Sequence, residues 1–145
     1  MKRLIPLVLC LLLFGCSIQK PLDSDAIIHE MLEKITFINP LVELPAGTYD
    51  HLYFLPKGVT ARVFQSSGTN AEEMGVFVAR DDAALEAMRG AIKIHLKDRK
   101  ESFEGYLPDE LTKIENAIVF EQGKTLILCV TDDPDARAVI EELCS

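Results

Sequence analysis

Hydrophobic and polar positions repeat one order twice along the chain: two β-rich runs, then an amphipathic helix. In the first unit, turn-forming residues at 66–70 separate the runs at 59–65 and 74–80, which predicts a hairpin with its turn at 66–70. Apolar residues then recur every three or four positions, which predicts a helix over 82–102.

The second unit follows the same order. Its β-rich runs at 117–121 and 125–131 meet at Gly123, a residue suited to the positive φ of a tight hairpin. The segment Asp132-Asp133-Pro134 then predicts a last helix, with Asp as N-cap and proline at the first helical position. Asp81-Asp82 precedes the first unit's helix in the same way and is interpreted as its cap. We interpret Asp132, Asp133 and Asp135 as capping residues rather than as a calcium loop.

Two further helices and one ambiguous region complete the pattern. Apolar side chains follow the capping residues 23–25 at helical spacing, which predicts a helix over 24–36. A short helix is predicted from residue 108 to residue 116. Residues 40–57 contain short apolar runs broken by proline and glycine, and their pattern does not decide between strand and helix.

These elements predict an α+β fold. The expected architecture is a four- to five-stranded, mostly antiparallel sheet of two strand-strand-helix units, with helices packed on one face and an additional N-terminal helix. Residues 126–130 are apolar at every position, as in a strand that is buried on both faces. We therefore expect this strand near the centre, with the N-terminal helix or a partner covering the second face.

The first sixteen residues have the layout of an export signal. Lys2-Arg3 precedes the apolar run Leu4–Phe14, which is too short to cross a bilayer because a span takes about 20 residues. The run leads into Gly15-Cys16, which resembles the lipobox of bacterial lipoproteins, cut before the cysteine. The predicted organisation is a lipoprotein signal peptide at 1–15, a lipidated cysteine and short tether at 16–22, and a single α+β domain at 23–145.

The lipobox predicts where the protein resides. Acyl chains on the Cys16 thiol would hold the domain on the outer face of the cell membrane, outside the cytoplasm. In a cell with two membranes, Ser17 after the lipid site would direct it to the outer membrane. The membrane is thus an expected partner, and we expect the protein to contact it only through the lipid on Cys16.

Charge excludes one class of partner. The formal net charge is −8, and the loss of Lys2 and Arg3 with the signal peptide brings it to −10. Such an acidic body does not favour nucleic acid or anionic lipid. We expect no nucleic-acid partner, and a domain that stands off from the membrane on its tether.

Two cysteines remain in the predicted domain, Cys129 and Cys144. They lie at opposite ends of the predicted last helix, which carries the chain about 15 Å, whereas the Cα atoms of a disulfide lie within about 7 Å. We therefore expect no bridge, with Cys129 buried as a small hydrophobe and Cys144 an exposed free thiol.

No catalytic motif is present in the sequence. We find no Gly-x-Ser-x-Gly, no Gly-rich phosphate loop and no cysteine with a plausible histidine partner, so we assign no catalytic residue and no cofactor. Neither His29, His51 nor His95 has metal-ligand spacing, although His29 with Glu33 could hold a cation weakly; we assign no metal site. His95, one turn before Arg99, is interpreted as the edge of a helix.

Two carboxylates stand out because they lie beside apolar strands. Glu73 and Glu115 could each be partly buried, and a buried carboxylate needs a cationic partner such as Arg62 or Arg80. Such pairs are more often structural than functional.

Two aromatic residues follow the long predicted helix. Tyr106, next to Gly105 and near Pro108, is a candidate anchor for a partner or ligand; the alternative is that it seals the sheet edge together with Phe103. The candidate contact residues for a ligand or partner are Tyr106, Phe103, Glu73 and Glu115.

Several short segments resemble a known family. They are Ala71–Phe77, where Ala-x-Glu precedes a valine-rich strand, together with Phe103–Pro108, Glu115–Ala117, the Gly123 turn and Asp132-Asp133. The family is a domain of unknown function found in uncharacterised lipoproteins, mainly of clostridia and their relatives. The resemblance covers most of residues 50–143 and implies an extracytoplasmic, membrane-anchored domain, but no activity.

Three hypotheses for function follow. The leading one is a non-enzymatic binding or accessory domain for an envelope protein or small ligand. The second is a hydrolase of an envelope polymer that uses two carboxylates among Glu73, Glu115 and Asp132, roughly 5–10 Å apart. The third is a structural protein that self-associates through an uncovered sheet face.

Overall fold

A computed structural model describes residues 22–67 and 69–145 of the protein. The predicted signal peptide, Cys16 and nearly all of the tether lie outside these residues. The elements in chain order are α1 (Ser24–Lys34), β1 (Val42–Glu43), α2 (Ala46–Tyr53), β2 (Val59–Gln65), β3 (Glu73–Ala79), α3 (Asp82–Glu104), a 3₁₀ turn (Pro108–Glu110), α4 (Leu111–Glu115), β4 (Ile118–Gln122), β5 (Thr125–Val130) and α5 (Ala136–Leu143).

The five strands form one antiparallel sheet in the order β1-β2-β3-β5-β4. Both predicted hairpins are present, and Gly123 has the expected positive φ of 58° in the second turn. The second hairpin joins the first through β3 and β5, so the apolar strand β5 lies inside the sheet with every residue buried. The predicted α+β fold is confirmed.

Helices cover both faces of the central strands. On one face, apolar residues of α3, including Leu85, Met88 and Ile92, pack against β2, β3 and β5 together with Tyr53 of α2 and Ile114 of α4. On the other face, α1 packs as expected, and α5 lies beside it. This arrangement covers the face on which the self-association hypothesis depended.

Two of the predicted caps are confirmed. The side chain of Asp23 accepts hydrogen bonds from the first turn of α1, and that of Asp81 accepts from the amide of Ala84 in α3. The predicted start of the last helix is wrong, because α5 begins only at Ala136. The carboxylate of Asp133 instead accepts from the amides of Asp135 and Thr36, which fixes a turn ahead of the helix.

The two cysteines of the domain are free, as expected, but Cys144 is not exposed. Its side chain lies in the same apolar cluster as Cys129, between α1, α5 and the sheet, and only 3% of its surface is accessible. The final turn of α5 places residue 144 on the same buried face as Ala136 and Ile140. Within the described residues, the helices are too short or too polar to cross a bilayer.

Candidate functional site

A buried charged cluster surrounds Glu73, the first residue of β3. Strand alternation points its side chain toward α3, where it has no solvent exposure. His95 Nε2 lies 2.9 and 3.0 Å from the two carboxylate oxygens, and Gln65 Nε2 donates at 3.1 Å. The Tyr53 hydroxyl donates to the same carboxylate, and Arg99 Nε lies 3.3 Å from it. We call these five residues the Glu73 cluster.

The imidazole of His95 links α2 to the sheet. Its Nδ1 faces the carbonyl oxygen of Leu52 at 3.3 Å, and its ring stacks on Tyr53 with centroids 3.9 Å apart. The Leu52 carbonyl and the Glu73 carboxylate both accept hydrogen bonds, so His95 links α2 to β3 through an acceptor at each of its ring nitrogens.

The cluster shifts the titration of its acidic members. Burial opposes ionisation of Glu73, but the hydrogen bond and charge of His95, with help from Arg99 and Tyr53, hold the pKa of Glu73 below its ordinary value. Burial and the neighbouring Glu73 carboxylate raise the pKa of Tyr53 well above its ordinary value. At neutral pH the cluster therefore contains a carboxylate and a neutral phenol that donates to it.

Arg99 closes the cluster toward the end of α3. Its Nη2 donates to the carbonyl of Ala71 at 3.0 Å, and its guanidinium lies 5.2 Å from the centre of the Phe103 ring. The Nε atom is buried without a hydrogen-bond partner among the described residues, although Glu73 is near enough to balance its charge. The Glu73 cluster thus joins α2, α3, β2 and β3 through charges held inside the protein.

The adjacent residue, Glu72, forms a second buried anchor on the opposite face. Its oxygens accept from the amide of Ile38 at 2.9 and 3.0 Å, from the amide of Asn39 at 3.4 Å and from the Asn70 side chain at 3.1 Å. This carboxylate ties the segment after α1 to the start of β3. With Ala71, whose amide donates to Glu110 at 2.8 Å, the Ala71-Glu72-Glu73 segment contacts the segment after α1, α2, β2, α3 and the 3₁₀ turn.

Comparison with known proteins places this framework in a family. Residues 57–131 match the family model described as Domain of unknown function (DUF4358). The chain belongs to the DUF4358 family. No curated protein and no solved structure matches the chain. The match confirms the predicted resemblance to a domain of unknown function and assigns no activity.

The DUF4358 match includes most of the buried polar framework. It spans β2 to β5 together with α3 and α4, and it contains every member of the Glu73 cluster except Tyr53. The helices α1, α2 and α5 lie outside the matched range.

The partners predicted for Glu73 are wrong, although its burial is as expected. Arg62 pairs instead with Glu43 and Asp25, and Arg80 pairs with its neighbour Asp81 at the surface. The interpretation of His95 as a helix edge is also wrong, because it is buried. Positions 92, 95 and 99 continue the apolar stripe of α3 at helical spacing, and this periodicity could have identified both partners.

The other candidate contact residues lie apart from the Glu73 cluster or at its rim. Tyr106 is 74% exposed after the end of α3, and Phe103 is half-buried beneath Arg99. Glu115 has a half-exposed side chain and pairs with Lys100. The structure places Glu73 in the interior, which leaves it no contact to a partner in this conformation.

The carboxylates of the hydrolase hypothesis are each engaged within the protein: Glu73 is buried in its cluster and Glu115 pairs with Lys100. Asp132 lies 3.3 Å from the ammonium of Lys113 and lines a shallow cavity of about 260 Å³ with Glu72 and Asp133. The oxygens of Glu72 are already bound to backbone amides, and Asp133 holds the amides of a turn. These carboxylates maintain the fold, so the structure gives the hydrolase no specific support.

Two surface features remain in the DUF4358 protein. The segment 32–41 lines an open groove of about 670 Å³, and Ile38 within it is 66% exposed. On α1, His29, Glu30 and Glu33 have ligand atoms within 4.8 Å of one another, but all three lie on one solvent-accessible helix face. We assign no ion to this group.

Proposed function

We propose that this chain is a lipoprotein anchored through Cys16 to the outer face of the membrane, and that its DUF4358 domain is a non-enzymatic binding or accessory module for an envelope protein or small ligand. The anchor is supported by the order of positive charge, short apolar run and Gly15-Cys16 in residues 1–16. This pattern is the observation on which the proposal depends.

The non-enzymatic part is supported by how the buried charges are used. Glu72 and Glu73 are buried and fully engaged by groups within the domain. Large apolar side chains lie instead at the surface, notably Ile38 in the open groove and Tyr106 after α3. Exposed aromatic and aliphatic anchors suit binding of a partner better than chemistry on a polymer.

Mass spectrometry tests the anchor. The full chain, expressed in a bacterium that processes lipoproteins, should yield an N-terminal peptide starting at a diacylglyceryl Cys16. The Cys16→Ser variant should keep its signal segment and carry no diacylglyceryl group. An unmodified Cys16 in the membrane-associated wild-type chain would refute the anchor.

Site-specific crosslinking in the same cells tests the binding role. A photoreactive residue at Ile38 or Tyr106 should give a discrete adduct with one partner, and the same residue at Val119, which is exposed on the edge strand β4, should not. No adduct at either candidate position, or equal adducts at all three, would refute binding through these surfaces.

A further inference from the structure

An apolar surface follows the end of α1. Residues 32–41 line the open groove of about 670 Å³, and the Ile38 side chain within it is 66% exposed. Thr36 and Ile38 also line the neighbouring cavity of about 260 Å³, together with Glu72 and residues 132–134. The groove and the cavity therefore form one continuous surface. We call the surface formed by all of these residues the Ile38 surface.

The rest of the domain fixes the backbone of the Ile38 surface. The carboxylate of Glu72, which is only 1% exposed, accepts from the amide of Ile38 at 2.9 and 3.0 Å. The carboxylate of Asp133 accepts from the amide of Thr36 at 2.7 Å, and the hydroxyl of Thr131 donates to the Thr36 carbonyl at 2.8 Å. The backbone at Ile38 is thus bound while its side chain stays in solvent, so a partner meets a preformed surface and loses little affinity to ordering it.

The cavity side of this surface is negatively charged. The amides that bind Glu72 and Asp133 satisfy hydrogen bonds but carry no charge, and the amides at Asp133 hold its pKa below the ordinary value. Asp132 pairs with Lys113, but the same ammonium also pairs with Glu110. A single ammonium cannot balance these four carboxylates.

The groove side adds further negative charge. The side chain of Glu33 is 63% exposed and faces His29 at 3.7 Å. The adjacent cation, Lys34, already pairs with Glu30 at 3.1 Å. Carboxylates therefore lie along both of the cavities that Ile38 lines.

We infer that the Ile38 surface binds a cationic segment of an envelope protein, in which an aliphatic or aromatic side chain contacts Ile38 and flanking lysine or arginine side chains meet the carboxylates. This inference rests on the proposed binding role and names the chemistry of the partner at one of its two candidate surfaces. Complementary charge on the two sides of a contact selects the partner and speeds its encounter.

Other occupants fit this surface less well. An anionic lipid, a nucleic acid or a second copy of this chain, whose formal net charge is −8, would each add negative charge to it. A small molecule binds best in a pocket that buries most of its surface, whereas an open groove suits a peptide. A cationic peptide segment satisfies both the charge and the shape.

Binding of defined peptides tests the inference. The full chain is purified from the expressing bacterium in a neutral detergent and titrated with the fluorescein-labelled peptide Lys-Leu-Lys-Phe-Lys, with detergent alone as the blank. We expect fluorescence anisotropy to show saturable binding, which weakens by at least about tenfold when glutamate replaces the lysines or serine replaces the leucine and phenylalanine. Added salt should weaken binding of the lysine peptide, because it screens exposed charges.

A change at Ile38 locates the apolar contact. Ile38→Ser removes an exposed side chain, so the fold should tolerate it, and the lysine peptide should bind at least about fivefold more weakly. Val119→Ser is the matched control, because Val119 is exposed on the edge strand β4, and it should leave the affinity unchanged. Wild-type affinity in Ile38→Ser, or an equal loss in both variants, would refute the contact.

A pair of charge changes tests the electrostatic part. Glu33→Gln together with Asp132→Asn removes two exposed carboxylates and should weaken binding of the lysine peptide by about threefold or more at low salt. Glu86→Gln together with Glu101→Gln removes the same charge from α3, which packs on the other face of the sheet, and should not change the affinity. Equal effects of the two pairs would show that only the overall charge of the domain matters.

The outcomes separate this inference from the proposed function. No binding of the lysine peptide, or equal binding of the lysine and glutamate peptides, refutes the cationic partner alone. In the cellular crosslinking experiment, an adduct at Tyr106 without one at Ile38 refutes this inference and supports a binding role elsewhere. Absence of adducts at both positions refutes the two together.

Discussion

At the scale of single residues, we expect the stability of the fold to be most sensitive to a small change at Glu73. Glu73→Gln keeps the size of the side chain but leaves Arg99 without its buried counter-charge and alters the contact with His95, so we expect a loss of about 3–5 kcal/mol in the free energy of unfolding. Glu115→Gln removes an exposed carboxylate paired with Lys100 and should cost less than about 1 kcal/mol. Urea unfolding of both variants measures the difference, and equal losses would contradict the ion-pair assignment.

The same residue predicts a dependence on pH. The folded state holds the pKa of Glu73 below its ordinary value of about 4.5, so its ionised form stabilises the fold at and above that pH. This contribution is lost as the pH falls through the lower folded-state pKa. The difference in unfolding free energy between wild type and Glu73→Gln should therefore be greatest above about pH 4.5 and shrink in acid. A difference that grows on acidification would reverse the assigned sign.

Gly75 is required by a close approach inside β3. A Cβ at this position would lie 2.7 Å from two ring atoms of Phe77, and that ring packs against Tyr53. Gly75→Ala should therefore destabilise the protein by about 1–3 kcal/mol. Gly90→Ala in α3 meets no neighbouring atom and should stabilise it by about 0.5–1 kcal/mol. Thermal unfolding that shifts both variants in the same direction would argue against the steric explanation.

At the scale of elements, α2 depends on Tyr53 for its position. Tyr53→Phe keeps the ring against His95 and Phe77 but removes the hydroxyl that donates to Glu73, at a cost of about 1.5–3 kcal/mol. Amide exchange should accelerate more over Ala46–Tyr53 than over α3. Tyr106→Phe, at an exposed position, should change neither the free energy of unfolding nor the amide exchange rates. Uniform acceleration of exchange in Tyr53→Phe would mean that the hydroxyl stabilises the whole domain rather than α2.

Elements with strong periodicity could be predicted from the sequence, and those fixed by tertiary contacts could not. The strands around Gly123 and the long helix α3 lie where their patterns indicated. In contrast, α2 is only eight residues long and is held by Tyr53 and the contact between His95 and Leu52. These contacts join residues 20 and 43 positions apart, and no local pattern encodes them.

The same limit applies to the Glu73 cluster. Burial of a carboxylate beside an apolar strand was predictable at Glu73, because its neighbours in β3 are apolar. The choice of His95 and Arg99 over Arg62 and Arg80 depends on which face of α3 meets β3. The role of Glu72 depends on the path of the segment after α1, and nothing in the sequence near residue 72 indicates it.

At the scale of the whole molecule, the two buried cysteines report how the layers separate. Burial raises the pKa of Cys129 to about 12 and raises that of Cys144, so neither should react with a thiol reagent until the structure around it opens. Cys129 lies in the central strand β5, and its exposure requires opening of the sheet. Cys144 lies at the end of the terminal helix α5, and its exposure requires only that this helix leave α1 and the sheet.

Alkylation kinetics should therefore resolve two steps, measured by mass spectrometry on a chain starting at residue 16 with Cys16→Ser. We expect Cys144 to react slowly without denaturant and faster than Cys129, because terminal helices open at a lower free energy than central strands. The rate at Cys129 should follow global unfolding and rise in parallel with it in Glu73→Gln, although this thiol lies on the opposite face of the sheet from the Glu73 cluster. Immediate reaction of Cys144 would mean that this thiol is exposed, as the sequence analysis predicted. An unchanged rate at Cys129 in Glu73→Gln would show that the two faces do not unfold as one unit.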